Sequence, residues 1–360
     1  MNKITSKQFV FLIFAITIVS LKTYPSILIF DSGRDTWISV IISSIIAFLY
    51  FLFCLKVFQK TNSYDLHYIY CNSVGKFFGN IFFFIFILGL FLTLIECAGV
   101  ESNSMHTNLL LETPVWYLLI FLIFPAIYVV RKGNRSILSV AIIGMILMIL
   151  AGINLAILTS SYKHYSYLLP IFENGITKGF IASILKSLGL YAHVTISFLY
   201  IDRVHKKDKL LKHSLLGFLF VIQMEIIAMT GVLSTFQADR AVRLIYPKLV
   251  QTQLISYWKF LESGELFVML QTIGGWYVKY ILILDCTIKC LKNINIKNKY
   301  IIYLISILAF ITTAYIADDL LYLLKFLSIY TYICLINFFV IPCILIFIFY
   351  IKHKKAIKNN

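Results

Sequence analysis

The sequence predicts an all-α integral membrane protein of ten transmembrane helices, arranged as an inverted five-plus-five repeat whose first and sixth helices are broken. Three observations carry that prediction. Of 360 residues, 60% are hydrophobic and only 13% charged, which excludes an ordinary soluble domain. Ten apolar stretches follow one another, at about 8–30, 37–58, 80–101, 115–130, 137–158, 178–201, 213–236, 264–288, 300–317 and 327–350, most of them close to the ~20 residues that cross a bilayer. Two of them, the first and the sixth, carry interruptions at corresponding positions of the two halves, which is the sequence pointer to an inverted-repeat transporter architecture.

The first stretch runs from Gln8 to about Phe30 and holds Lys22 and Pro25 within SLKTYPS. A lysine at that depth costs about 2.5–3.5 kcal/mol on insertion scales. A proline inside a helix removes a backbone hydrogen bond and clashes with the preceding turn. Irregular backbone survives at membrane depth only where it is buried in protein or lines a cavity, so Ser20 to Pro25 is a candidate site. The sixth stretch contains SLGLYAH at Ser187 to His193, preceded by Lys186, with Gly189 available to break the helix. The whole chain, 1–360, reads as one polytopic domain, with repeat one at about 8–158 and repeat two at about 178–350. Five spans per half is odd, so the halves enter with opposite topology, as this architecture requires. The SLxxY spacing shared by the two breaks is too short to indicate homology.

Most connections are short. The long exception spans about 237–263 and contains YPKLVQTQLISYWKFL, where Val250, Leu254, Tyr257 or Trp258, and Leu261 recur at helical spacing against Lys248, Gln251, Thr252 and Lys259. With Pro247 suited to a helix start, the pattern predicts an amphipathic helix on the outer face, as a lid, an anchor or a contact with ligand. Trp37, Trp116 and Trp258 fall near the outer interface, where amphipathic rings are favoured. Trp276 does not, lying about 18 Å into the eighth span at 1.5 Å per residue and following Gly274 and Gly275.

The net charge of +16 has a topological distribution. With both termini on one side, and with the span-end Lys56 and Lys178 counted with their adjoining loops, 21 Lys and Arg lie on that side, 8 on the other and 3 within spans. The positive-inside rule then makes both termini cytoplasmic, with attraction to anionic membrane lipid as a consequence. A nucleic-acid partner gains no separate support. The first stretch is too long for a cleavable signal and lacks a cleavage pattern.

Lys22 and Glu96 are expected at similar depth, roughly 21–24 Å from the inner surface at 1.5 Å per residue. An ion pair between them is geometrically possible; the alternative is a Lys22 that snorkels outward and a Glu96 bonded locally. Glu225 sits near the middle of the seventh span, Lys279 is expected to snorkel toward the inner surface near Asp285, and His193 reads as a hydrogen-bonded packing residue. Seven cysteines, at 54, 71, 97, 286, 290, 334 and 343, lie mostly in apolar runs without CxxC spacing, as small core residues do. No metal or cofactor is expected. Neither GxSxG, P-loop, dinucleotide turn nor HExxH occurs, so catalysis is the weakest reading.

Four stretches in order resemble one known family. GRDTWISV at Gly33 to Val40 is similar to the G-x-D-x-W-I-S-V signature of spore germination receptor B subunits, and LLLETPVW at Leu109 to Trp116 to their L-L-x-x-T-P-x-W entry into the fourth helix. YLLPIFENG at Tyr167 to Gly175 resembles their L-P-x-x-x-x-G segment, and LIYPKLV followed by FLESGELF resembles the loop before the eighth helix. The chain departs from the pattern at Lys22, where a small or apolar residue is usual, and at Ser263 and Gly264, where an arginine is usual.

The resemblance implies the amino acid, polyamine and organocation transporter superfamily and its LeuT-type fold. It implies a subunit in the inner membrane of a dormant spore that senses a small nutrient, such as an amino acid or sugar, alongside A-type and C-type subunits. The other reading is a permease for a small organic solute. Either way the expected ligand site comprises Ser20, Lys22, Thr23 and Tyr24 from the first break, Glu96, then Ser187, Gly189 and Tyr191 from the second, and Trp276. Backbone groups of the broken helices would hold the polar part of the ligand, and Tyr24, Tyr191 and Trp276 would form the apolar wall.

Overall fold

A computed structural model describes residues 4–173, 175–255 and 265–358. Among these residues the secondary structure is helical, save one bridge between Ile4 and Val204. Seven helical stretches are long and apolar enough to cross a membrane: 25–61, 76–108, 115–132, 134–158, 178–203, 210–241 and 320–355. Two further apolar helices, Ser6–Leu21 and Ile301–Ala317, are shorter. The outward faces carry large apolar side chains such as Phe77, Phe84, Phe121, Phe124, Ile311 and Phe347, a surface suited to lipid and to little else.

The first helix, α1 (Ser6–Thr23), starts at a capping box in which the Thr5 hydroxyl accepts from the Gln8 amide and the Gln8 side chain accepts from the Thr5 amide. Such reciprocal capping satisfies two otherwise orphaned donors. The helix ends at Tyr24, whose backbone leaves the helical region (φ −93°, ψ 12°), and α2 (Pro25–Ser32) restarts with Pro25 in its first turn. Pro25 has no N–H to give the Leu21 carbonyl, so the expected break falls where the proline requires it. At the other end of α1 the chain is pinned: the Ile4 amide donates to Arg203 O (3.0 Å) and the His205 amide to Ile4 O (2.9 Å).

The next helices are α3 (Thr36–Thr61), the short α4 (Leu66–Val74), the long α5 (Lys76–Asn108), α6 (Val115–Lys132) and α7 (Asn134–Leu158). Two short 3-10 turns then lead to α8 (Lys178–Tyr191). The second interruption is of a different kind from the first. After Tyr191 the chain tightens into 3-10 geometry from Ala192 to Arg203, a far longer run than that poorer hydrogen-bond geometry ordinarily supports. Gly189 is not the break. It stays inside α8, and a Cβ there would lie 2.1 Å from the carbonyl oxygen of Thr331, so this glycine permits close approach of two backbones.

Small polar residues join α3 to α8. Ser39 bonds Ser183 (2.7 Å) and Ser43 donates to Ser187 (2.8 Å), all four side chains being buried. Four-residue spacing on both helices stacks the pairs along one seam. A double-mutant cycle on S43A and S187A should give a coupling near 0.6 kcal/mol, the average for interhelical hydrogen bonds in membranes, read as thermal unfolding of the purified protein.

The second half continues with α9 (Leu210–Ala241), which bends at Gln237 (φ 57°), then α10 (Pro247–Gln253), α11 (Glu265–Asn293), α12 (Ile301–Ala317) and α13 (Leu320–Cys334). A π-helical stretch, Leu335–Val340, joins α13 to α14 (Ile341–Lys358). Helix α10 begins at Pro247 as the sequence predicts, but its polar side faces inward. Gln251 and Thr252 are buried, and the Gln251 amide donates to Gly231 O (3.0 Å) and Thr235 Oγ1 (2.7 Å). The reason is local: a buried amide must be hydrogen-bonded, and these two oxygens on the last turns of α9 are within its reach. Tyr257, Trp258 and Leu261, expected on the same helix, lie outside the described residues.

Helix α11 packs against α1, α5 and α7 and runs through the bundle. Five of the seven cysteines are buried, and Cys71 and Cys343 are half-buried.

Candidate functional site

A fully buried ionic network sits where the two interruptions meet α5, α11 and α13. Its centre is Glu96 on α5, with no solvent exposure. One carboxylate oxygen accepts from the Ser20 hydroxyl (2.9 Å) and from the Tyr24 phenol (2.9 Å), the residues on either side of the end of α1. The other accepts from the Lys279 ammonium (2.8 Å) and from the Tyr330 phenol (3.3 Å). Lys279 also donates to the Ser20 hydroxyl, and its ammonium stands 5.3 Å from the centre of the Trp276 ring. Lys279 therefore has an anion, a hydroxyl and an aromatic face, the set that makes a desolvated ammonium tolerable.

A second layer fixes the network on the α8 side. His193, one residue into the 3-10 stretch, directs Nδ1 at Leu190 O (2.8 Å) and Nε2 at the Tyr330 oxygen (2.8 Å). The Leu190 carbonyl can only accept, so Nδ1 carries a proton; in the neutral ring Nε2 then accepts from the Tyr330 hydroxyl. Tyr330 also points at Thr93 Oγ1 (2.8 Å), whose own proton goes to Gly89 O (2.8 Å). One phenolic proton thus faces three acceptors, His193, Thr93 and Glu96, and couples all three elements through a single side chain.

The structure brings together Ser20, Tyr24, Glu96 and Trp276 of the residues expected at the site. The Lys22 side chain lies outside the described residues, and among the described residues the lysine on Glu96 is Lys279. That placement corrects the expectation that Lys279 snorkels toward the inner surface: its side chain is fully buried. Thr23 is adjacent but turns to Val19 O (2.9 Å). Ser187 faces α3, Gly189 faces α13, and Tyr191 packs edge-on to Phe218 of α9 (6.2 Å between centroids). Tyr191 OH and Trp276 Nε1 are buried donors with no hydrogen-bond partner among the described residues. Glu225 is buried on α9 near Tyr191. Asp285 lies further along α11, paired with Lys289 and accepting from Tyr200 OH (2.9 Å).

Sequence reading missed Lys279, Thr93 and Tyr330. Two of these left a signal. Lys279 is three residues after Trp276 and Thr93 three before Glu96, so each shares a helix face with a residue already singled out. Tyr330 left none, since one tyrosine among 23 in an apolar span is unmarked until α13 is placed.

Beside the network is a cavity of about 50 Å³ lined by Val19, Thr23, Val100, Gln271, Tyr246 and Pro247, among others. That is far below the ~300 Å³ of a small-molecule site. The start of α10, Tyr246 to Leu249, forms one wall of the cavity. The Tyr246 phenol, pushed above its ordinary pKa by burial, donates to Asn103 Oδ1 (3.0 Å), and Asn103 donates to Ala317 O (3.2 Å). The described conformation is closed over the network.

Comparison with known proteins adds the following. A family model described as spore germination protein matches residues 3–321. Spore germination protein XB of Bacillus anthracis is 25% identical over 254 residues, 70% of this chain and 70% of that protein. Spore germination protein KB of Bacillus subtilis (strain 168) is 24% identical over 264 residues, 71% of this chain and 70% of that protein. Among solved structures, a mutant of the manganese transporter of Eremococcus coleocola superposes with a TM-score of 0.63 over 94% of this chain and 77% of that one, at 13% identity. At that identity the likeness is one of fold.

Proposed function

This chain belongs to the spore germination protein family, as a multi-pass membrane protein of transporter-like fold and not an enzyme, and from that premise we propose that it is a germinant-sensing subunit. In this reading it binds a small nutrient, an amino acid or similar, in a pocket at mid-membrane and passes the change to A-type and C-type receptor subunits. It lies in the spore inner membrane as a single domain of ten spans in two inverted halves, with both termini cytoplasmic. The observation that carries the reading is the closed Glu96–Lys279 network at the crossing of two interrupted helices in a chain with this family's match over residues 3–321.

Glu96 and Lys279 present the two charges that a zwitterion carries in reverse. A ligand ammonium would take the place of Lys279 on Glu96, and a ligand carboxylate would take the released lysine or Lys22. Ser20, Thr23 and Tyr24, with backbone groups from Ser187 through Gly189 to Tyr191, would hold the polar part. Tyr191 and Trp276 would offer their unpartnered donors and their rings. The 50 Å³ cavity is too small for any nutrient, so binding requires that the start of α10 lift. A ligand shifts the bundle only by its difference in affinity for the closed and open states, and exchange of an internal ion pair for an external one supplies that difference.

Spores carrying Trp276→Ala at normal membrane levels should need at least about tenfold more germinant, the loss of about 1.4 kcal/mol expected for an aromatic wall. An unchanged concentration dependence would remove Trp276 from the pocket. The transporter-like architecture favours a second reading, a permease for a small organic solute. Uptake of the germinant by vesicles containing this chain alone would establish that alternative.

A further inference from the structure

The ionic network does not use Lys186, the third lysine within an apolar span. Its ammonium pairs with Asp31 of α2 (2.6 Å), lies 5.8 Å from the centre of the Tyr332 ring, and borders a separate cavity of about 310 Å³ between α2 and α13. Arg243, from the connection between α9 and α10, and Lys325, from the first turns of α13, line the same cavity. Asp31 balances Lys186. Arg243 and Lys325 have no carboxylate within ion-pair distance among the described residues. Among the described residues, two cations of one cavity are therefore uncompensated, and no acidic side chain lines it.

The remaining wall is apolar and faces outward. Ile27, Phe30 and Leu324 line it, and Phe30 is 75% exposed on the surface of a membrane bundle. The Ser26 hydroxyl is spent on Ile245 O (3.0 Å), which ties the Arg243 connection to α2 and holds that cation over the cavity. A mouth with two unbalanced cations above an apolar flank matches an amphiphile with an anionic head. A soluble anion has no use for the flank, and the ammonium of a zwitterionic head would meet Arg243 and Lys325.

We propose that this lateral cavity binds the phosphate head group of an anionic lipid, with Arg243 and Lys325 on the phosphate and the acyl chain along Phe30 and Ile27. The head group then also reaches the Asp31–Lys186 pair that clasps α2 to α8, so the lipid bears on the outer half of the first broken helix.

The test uses the full chain in nanodiscs of phosphatidylglycerol or phosphatidylcholine, with retained lipid counted by native mass spectrometry after extraction. Phosphatidylglycerol should be retained in preference to phosphatidylcholine, and R243Q/K325Q should retain it roughly tenfold less or worse, from two lost cation contacts. Both residues are exposed, so the lipid-free unfolding temperature should not move. Equal retention of the two lipids, or unchanged retention in the double variant, would overturn the proposal. So would an equal loss in K352Q/K354Q, exposed lysines near the C-terminus, or displacement by tail-free glycerol phosphate at the lipid's own concentration.

Discussion

Lys279→Met is expected to destabilise the purified protein by about 3–5 kcal/mol, because it leaves the Glu96 carboxylate buried without its cation. Glu96→Gln should cost a similar amount by leaving the Lys279 ammonium without a counter-charge, with only neutral partners: the Ser20 hydroxyl, the Trp276 ring and the new amide's oxygen. The double variant E96Q/K279M should recover most of either loss, since two neutral side chains of similar volume no longer carry the desolvation penalty. Thermal unfolding in detergent of the four proteins reads the cycle. Additive losses would show that the two residues do not act as a pair. The same proteins separate stability from sensing. The double variant should reach normal membrane levels yet fail to respond to germinant, because the charges that would be exchanged for those of the ligand are gone.

Gly189→Ala is expected to be among the most damaging additions of a single methyl group to this chain. In a helix alanine is favoured over glycine by about 1 kcal/mol, so the substitution should stabilise α8 taken alone. Here the new Cβ would stand 2.1 Å from Thr331 O and 3.2 Å from the Leu335 amide nitrogen, both backbone atoms. No rotamer relieves a clash with backbone, and α8 must move off α13, at the 1–3 kcal/mol or more typical of overpacking. That displacement also carries His193 away from Tyr330, so loss of response to germinant should accompany the loss of stability. Gly274→Ala is the control. It lies in α11 with nothing within 4 Å of the added carbon, and its unfolding temperature should hold or rise. If G189A behaves like G274A, close packing of α8 on α13 is not what glycine secures there.

Much of this protein is written in local sequence. Pro25 alone places the first break, because a missing N–H and a ring clash act on the residue's own turn and need no neighbour. Pro247 starts α10 for the same kind of reason. Hydropathy marks the long apolar helices, since a bilayer acts on each segment by length and polarity, and Glu96 and Trp276 announce themselves by being costly or bulky at depth. Gly189 shows the limit of this reasoning. Its sequence suggests a flexible point, whereas its environment makes it a contact point, and only the position of Thr331, 142 residues later in the numbering, distinguishes the two.

What the tertiary structure decided is the pairing of charges. From depth along a helix, Lys22 suits Glu96, while Lys279 reads as a residue nearer the inner surface. Depth fixes one coordinate only; which face each helix turns toward the others is settled by packing of whole surfaces. Rotation of α11 about its axis sets Lys279 against Ser20 and Glu96, and placement of α13 brings Tyr330 between Glu96 and His193. The sequence by itself determined that charge is buried in this membrane bundle and where along the chain the backbone gives way. The fold decided which charges neutralise one another, because an ion pair is a property of two surfaces and neither helix encodes it alone.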